Sequence, residues 1–574
     1  MKTDAVTLGV TPTRANFDNL IAVGCFGIAC AIGLVGAFVG FDVSSFWLDE
    51  LFEAWIVESG IGVPEFITRL VTDLHPPVYH VLIFLYSQVV GTSEAGLRSF
   101  SALCTTSAIV LFVVSTKAFF SLQARLFGAA MATGSFFWFY HAQNARGYAL
   151  SFVFGVGILA ISLSILAKRS QPDARVFSSL PGLAALMLAG SFVHFYLMYL
   201  CLAVLIILGL FCPRHRILLW AFAGFLLAVS GLYVMFVIQV FSQYSTTVNW
   251  IHGDVSWYVT HLRTAVVFSF TKKAALALAI CLGAFAIQRL FVERRIRPGR
   301  SGILAFGRFP LDPETALFVG VPLIIVVGGI TSSIILSPNF TDRNLLICSP
   351  FLWAFSAKLY DASVPGAARP VRAAANLALS AVVLWMAVTM VAGRAKPWKE
   401  PFRQAAEWIQ TFPECQGRPI MVINGEARAW LKPGYAEVLY ADFYAYYLAG
   451  FAEPKIVFVE DVLGHSLSDE TKEYLQWRID GNGCPIIAWS AHLMTEEEFA
   501  AAGREILKIV GRPNAGNVLR TKVLRDGVEG YVMYVERANG PQPYGVGRDP
   551  GPPPSQRKAT PAPTQPFHPA PAPR

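Results

Sequence analysis

Two adjacent carboxylates, Asp49 and Glu50, stand in the stretch FWLDELFEAW, directly after an apolar run and between Trp47 and Trp55. A second group, Asp73 and His75, lies in TDLHPPVYH. Basic and aromatic polar residues follow: Arg98 in GTSEAGLRSFSA, His141, Arg146 and Tyr148 in YHAQNARGYAL, His194 in VHFY, and Asp342 with Arg343 in NFTDRNLLICSP. A carboxylate can take a proton from an acceptor hydroxyl. Guanidinium groups can hold a phosphate bidentately and stabilise it as it departs. Proton removal beside a stabilised anion is therefore the chemistry these residue types can perform together.

Each has a plainer explanation when taken alone. An acid pair after an apolar helix can mark the membrane boundary, and Asp73 before two prolines can cap a helix start. Arg98 and Arg146 can snorkel to the interface, and His194 can be a satisfied core histidine. His75, His80, Asp73 and the Asp49–Glu50 pair include metal-ligand types, but their spacing matches no zinc pattern. Their joint occurrence favours function, because charge near apolar segments is costly and usually has a use.

The elements that must position these groups are membrane helices. The chain of 574 residues is 54% hydrophobic and 15% charged, against about 25% charged in soluble domains. The formal net charge of +8 reads as basic cytoplasmic loops. No interleaved basic and aromatic pattern of the kind nucleic-acid grooves use is present. Residues 1–18 form a polar segment expected in the cytoplasm, and residues 19–395 a transmembrane domain. Its first apolar run, Asn19 to Phe41, is uncharged and long enough to span as an uncleaved helix. Further apolar segments are expected near 77–91, 99–117, 126–141, 147–167, 179–212, 217–241, 264–290, 316–336, 344–360 and 371–392, giving about eleven helices. The run 179–212 is long enough to be two short helices meeting near His194. The first outer loop, about 42–76, has the pattern of short amphipathic helices lying in the interface, with Trp47 and Trp55 as anchors. The arginine-rich loop Glu293 to Arg308 is expected to be cytoplasmic.

From about Lys396 the composition changes. Residues 401–410 read as a helix, and PIMVIN, KIVFVE, CPIIAW and YVMYVE read as strands. Thr495 followed by three glutamates is a capping-box helix start. Residues 396–538 thus read as a small α/β domain outside the cytoplasm, and 539–574 as a disordered proline-rich tail. Seven cysteines lie in apolar segments, where small hydrophobe is their reading. If the C-terminal part is exported, Cys415 and Cys484 can pair as a disulfide, though the sequence gives no distance between them.

The motifs resemble those of the GT-C superfamily of integral-membrane glycosyltransferases. They are most similar to the branch that contains protein O-mannosyltransferases, lipid A aminoarabinose transferases and bacterial proteins of glycosyltransferase families 39 and 83. That branch has an acidic pair in its first outer loop, here Asp49-Glu50, and the protein mannosyltransferases have Asp-x-His-Pro-Pro, here Asp73 to Pro77. GTSEAGLRSFSA matches a Gly then Arg-Leu-Pro-Ser-Ala pattern with Phe100 displacing the proline region. Asn144-Ala145-Arg146-Gly147-Tyr148 matches Glu-Ala-Arg-x-Tyr, with Asn144 in place of the acid. The likeness in order and spacing covers about residues 40–150.

The resemblance implies a sugar donor carried on a polyprenyl phosphate and an inverting transfer to a glycan, lipid or protein acceptor at the outer face of a bacterial plasma membrane. Asp49 would be the general base, with Glu50 supporting it and Asp73 shaping the catalytic site. His75, Arg98, Arg146, Tyr148, His194 and Arg343 would bind substrate. No cofactor is implied beyond a divalent metal, which some superfamily members use. A transporter or flippase of a lipid-linked or amphipathic anion is the alternative. It predicts charges deep in helices and repeated halves, whereas here the charges gather in one loop and no repeat is visible.

Overall fold

The computed structural model describes residues 17–537 except Leu74, 170–177, 245–250, His252, 297–311, 394–398, 426–431, Pro433, Ala449, 481–482, 492–493, 511–516 and Gly527. The N-terminal segment, most of the arginine-rich loop and the proline-rich tail lie outside the described residues.

The described chain begins with α1 (Phe17–Gly36), followed by the two loop helices α2 (Leu48–Ile56) and α3 (Val63–Leu70). The membrane part continues with α4 (Pro77–Val90), α5 (Glu94–Ser115), α6 (Leu122–Thr133), α7 (Phe136–His141) and α8 (Tyr148–Lys168). Next come α9 (Leu180–Ser191), α10 (Phe195–Phe211), α11 (Arg216–Phe241), α12 (Val255–Ser269) and α13 (Lys272–Ile296). It closes with α14 (Pro313–Ile335), a 3-10 turn at Arg343–Cys348, α15 (Ser349–Ser363) and α16 (Arg369–Gly393). Among the described residues, six helices are long and apolar enough to cross a membrane, or seven if the bent pair α12–α13 counts as one span. The chain is an integral membrane protein.

Each expected apolar segment is helical, but several are not single rods. The run 179–212 is broken, and His194 caps α10 by accepting from the Tyr196 N–H at 3.2 Å. The segment 126–141 breaks at Gly134, after which Ser135 caps α7. The expected helix 264–290 bends by 69° between Ser269 and Lys272. In each case a side chain or turn satisfies the backbone groups that the break frees. Pro76 and Pro77 open α4 as expected, with Pro77 in the first helical position. Small residues allow close packing: α6 approaches α15 so nearly that a Cβ on Gly128 would meet the Trp353 carbonyl oxygen at 2.8 Å.

The C-terminal part opens with α17 (Phe402–Gln410) and β1 (Pro419–Asn424), then α18 (Tyr435–Leu448), β2 (Glu453–Phe458), α19 (Val459–Leu463) and α20 (Asp469–Asp480). It ends with β3 (Ile486–Ser490), α21 (Glu496–Val510), β4 (Asn517–Asp526) and β5 (Val528–Arg537). The sheet order is β2-β1-β3-β5-β4. β1 runs parallel to β2 and β3, and β5 is antiparallel to both β3 and β4. KIVFVE is shifted: β2 starts at Glu453 and includes Pro454, which an edge strand tolerates. The α21 capping box is formed, with Glu498 N–H donating to Thr495 Oγ1 and Thr495 N–H to Glu498 Oε2. Cys415 and Cys484 are disulfide-bonded, joining the segment before β1 to the start of β3.

Candidate active site

The site grows from α2. Trp47 is its N-cap, and the Trp47 backbone N–H donates to Glu50 Oε2 at 3.3 Å. A helix that starts there carries Asp49 and Glu53 on one side, four residues apart, and sets Glu50 a hundred degrees around. Asp49 keeps 33% of its side chain exposed, whereas Glu50 and Glu53 have none.

Glu50 is enclosed by donors from four parts of the chain. Arg98 on α5 forks onto it, with Nε 3.0 Å from Oε1 and Nη2 2.7 Å from Oε2. Lys399 Nζ donates to Oε2 at 2.6 Å, and the Ala145 N–H to Oε1 at 2.9 Å. Burial raises the Glu50 carboxyl, but Arg98 and Lys399 outweigh it and bring it down to about 2. The remaining Arg98 donors go to backbone carbonyls: Nη1 to Phe41 and Ser44, Nη2 to Ser45. A guanidinium has five N–H groups, and all are engaged. Arg98 therefore has none to spare for a lipid phosphate, which differs from the expectation that it binds substrate. Glu50, fully buried, lines neither of the two cavities that flank Arg146 and acts as the pin of the loop.

A second network surrounds Asp73. Its Oδ1 accepts from the His75 backbone N–H at 3.1 Å and lies 2.7 Å from His75 Nδ1. Its Oδ2 lies 3.1 Å from His80 Nε2 and 3.8 Å from Arg146 Nη1. His80 Nδ1 is 2.8 Å from Glu53 Oε1, and Arg146 Nη1 is 3.5 Å from Glu53 Oε2. Burial raises the Asp73 carboxyl, yet His75, His80 and Arg146 hold it well below the usual range. Burial disfavours charge on Arg146, but Asp73, Asp49 and Glu53 raise its affinity for the proton. Among the described residues no group of three His, Cys, Asp or Glu side chains is suited to a metal. The candidate ligands from the sequence are instead paired: Asp73 with His75 and His80, Glu50 with Arg98 and Lys399, and Asp49 with Arg343.

Arg146 is shared by two cavities. One joins it to Asp49, Asp73 and Phe52 on the loop side and to Leu439, Tyr440 and Phe443 on α18. The other joins it to His75, Tyr148 and His194, with Glu53, Tyr79 and His80 behind them. The His194 ring lies 5.3 Å from Tyr148 and 6.5 Å from His75. Arg343, from the distant segment after α14, lies 3.4 Å from Asp49 Oδ2 and 4.9 Å over the Trp47 ring. Of the sequence-derived residues, Asp49, Asp73, His75, Arg146, Tyr148, His194 and Arg343 come together, while Glu50 and Arg98 form the support beneath.

Glu53, Lys399 and the α18 residues were not singled out from sequence, and His80 only among metal-ligand types. Glu53 had a signal, because it falls one turn after Asp49 on an amphipathic helix. Lys399 had none: it is 349 residues from Glu50.

No protein-family model matches the chain, and no curated protein sequence does. Solved structures do. The crystal structure of ArnT from Cupriavidus metallidurans in the apo state aligns with a TM-score of 0.52 at 13% identity, covering 91% of this chain and 100% of that one. The same protein bound to undecaprenyl phosphate aligns with a TM-score of 0.50 at 12% identity, with equal coverage. At such identity the likeness is one of architecture alone: this chain and that protein share an overall fold.

Proposed function

We propose that the protein is an inverting glycosyltransferase that moves a sugar from a polyprenyl-phosphate donor to an acceptor hydroxyl at the outer face of a bacterial plasma membrane. One observation carries this reading. Asp49, a partly exposed carboxylate of the first loop, opens with Asp73 and Arg146 into a cavity, in a fold shared with a protein solved bound to undecaprenyl phosphate. Of the other first-loop acids, Glu50, Glu53 and Asp73 are buried against cations or histidines, and Asp42, Glu58 and Glu65, all at least partly exposed, line neither cavity. This leaves Asp49 as the base.

In the proposed step the acceptor oxygen attacks the anomeric carbon while its proton passes to the Asp49 carboxylate. The bond from that carbon to the phosphate oxygen breaks on the opposite face, so configuration inverts. The polyprenyl phosphate leaves with the electron pair, and Arg146 and Arg343 stabilise the added charge. His75, Tyr148 and His194 line the neighbouring cavity, which has room for about one water, and would hold Arg146 in place for the donor phosphate. The Cys415–Cys484 bond supports placing the C-terminal domain, which caps the site, in an oxidising compartment. The charges gather at a loop rather than within paired helix repeats, which favours transfer over transport.

The test is transfer by the purified full chain in nanodiscs from a panel of labelled polyprenyl-phosphate sugars, with the product identified and its anomeric configuration determined. Transfer from none of them, or a retained configuration, overturns the assignment.

A further inference from the structure

The C-terminal domain is fixed through α18 to the first loop and to the turn between α4 and α5. Trp55 Nε1 donates to Asp442 Oδ2 at 2.9 Å, Tyr446 Oη to the Thr92 carbonyl at 2.8 Å, and the Phe46 N–H to Tyr447 Oη at 2.6 Å. These bonds hold one face of α18 over Asp49. Leu439, Tyr440 and Phe443 on that face line the cavity opposite Asp49, Asp73 and Arg146. The rings of Tyr440 and Phe443 meet edge to face at 5.9 Å, and Phe443 meets Phe52 in the same way at 5.9 Å. The cavity therefore has one charged wall and one aromatic-aliphatic wall, both held rigidly.

We infer that this wall of α18 is the acceptor subsite, and that the acceptor is a pyranose-bearing molecule rather than a serine or threonine of a protein. The inference rests on the proposed transferase reading and deepens it. A pyranose presents an apolar C–H face to rings and hydroxyls at its edge to carboxylate and guanidinium. It so matches both walls at once, and rigid aromatic walls bind with little ordering cost. Location assigns the cavity to the acceptor. It lies between the loop and the domain outside the membrane helices, whereas Tyr148 and His194, which begin membrane-part helices, line the other cavity. Arg146, common to both, stands where the two substrates would meet.

The first experiment needs no turnover. Leu439→Cys in the full chain, in nanodiscs, is labelled with a water-soluble methanethiosulfonate, with the unsubstituted chain as background. Methyl pyranosides and nanodisc-embedded octadecyl pyranosides should slow labelling at least about threefold, as when ligand stands near twice its dissociation constant. Protection by the methyl compounds marks a soluble glycan acceptor, and protection by the octadecyl compounds alone a glycolipid. No labelling, no protection by any pyranoside, or protection by a serine–threonine peptide alone overturns the inference. The second experiment uses whichever donor the wild type accepts. Tyr440→Ala should raise acceptor KM about tenfold with donor KM unchanged, and Val438→Ala, half exposed on α18, should change neither. An unchanged acceptor KM in Tyr440→Ala overturns the subsite. A wild type that is protected yet transfers from no donor sinks the transferase reading and leaves the pyranose subsite standing.

Discussion

At the residue scale the acid pair divides its labour, and opposite substitutions separate the halves. Asp49→Asn removes the exposed base, and transfer should fall about a thousandfold while the melting temperature of the purified protein stays near that of the wild type. Glu50→Gln should do the reverse to stability. It leaves Arg98 and Lys399 buried without their carboxylate, a loss on the order of 3–5 kcal/mol, read as a lower melting temperature in detergent. The pH dependence follows from the same pair. The folded Glu50 carboxyl sits at about 2, below its ordinary value of 4.5. Its stabilisation is therefore complete above the ordinary value and drains away as pH falls toward 2. The melting temperature should hold level above pH 4.5 as far as this group is concerned and fall below it, and the fall should be smaller in Glu50→Gln. Which acid of the pair would be exposed was not legible in FWLDELFEAW. Neighbouring positions on a helix point to different faces, and their surroundings come from segments far along the chain.

At the element scale the apolar segments were legible because uncharged runs have few soluble explanations. Their internal breaks were legible only in part: the length of 179–212 pointed to the break at His194, whereas the breaks at Gly134 and between Ser269 and Lys272 carried no such cue. α18 went unread for a different reason. In YAEVLYADFYAYYL the buried Tyr440, Phe443, Tyr444 and Leu448 share one helix face, but Tyr435, Val438 and Tyr446 set further apolar or aromatic side chains around the rest of it. The contrast between faces that announces an amphipathic helix is then masked. β4 was also missed, its alternation masked by charged residues on the open edge. The Cys415–Cys484 bond closes a separation of 69 residues, and the chain-entropy relation gives about 4 kcal/mol for a loop of that size. Cys415→Ser should lower the melting temperature by a matching amount, and a reductant should lower that of the wild type but not of the variant.

At the scale of the whole molecule, membrane part and C-terminal domain share one site. A chain ending near residue 395 loses Lys399 from Glu50, Arg403 from Glu94 and the α18 wall. Such a chain should insert into membranes but give no transfer, and it should run as a broadened or aggregated peak in size-exclusion chromatography. A sharp, active peak would show that the shared site is dispensable. The class of the fold was open to reading because the motifs of residues 40–150 keep their order. The partnership of the two parts was not, because it consists of contacts between residues hundreds of positions apart.

That separation also sets a clock. Arg98 follows Glu50 by 48 residues and Lys399 follows it by 349. At synthesis rates of roughly 5–20 residues per second, the second cation leaves the ribosome roughly 20 to 70 s after the carboxylate it meets. During that interval the loop around Glu50 lacks both its second counter-charge and its roof. The finished arrangement therefore joins early chain to late chain: a domain made after the membrane helices closes around α2, and a nascent chain holds an unroofed site until α18 has emerged.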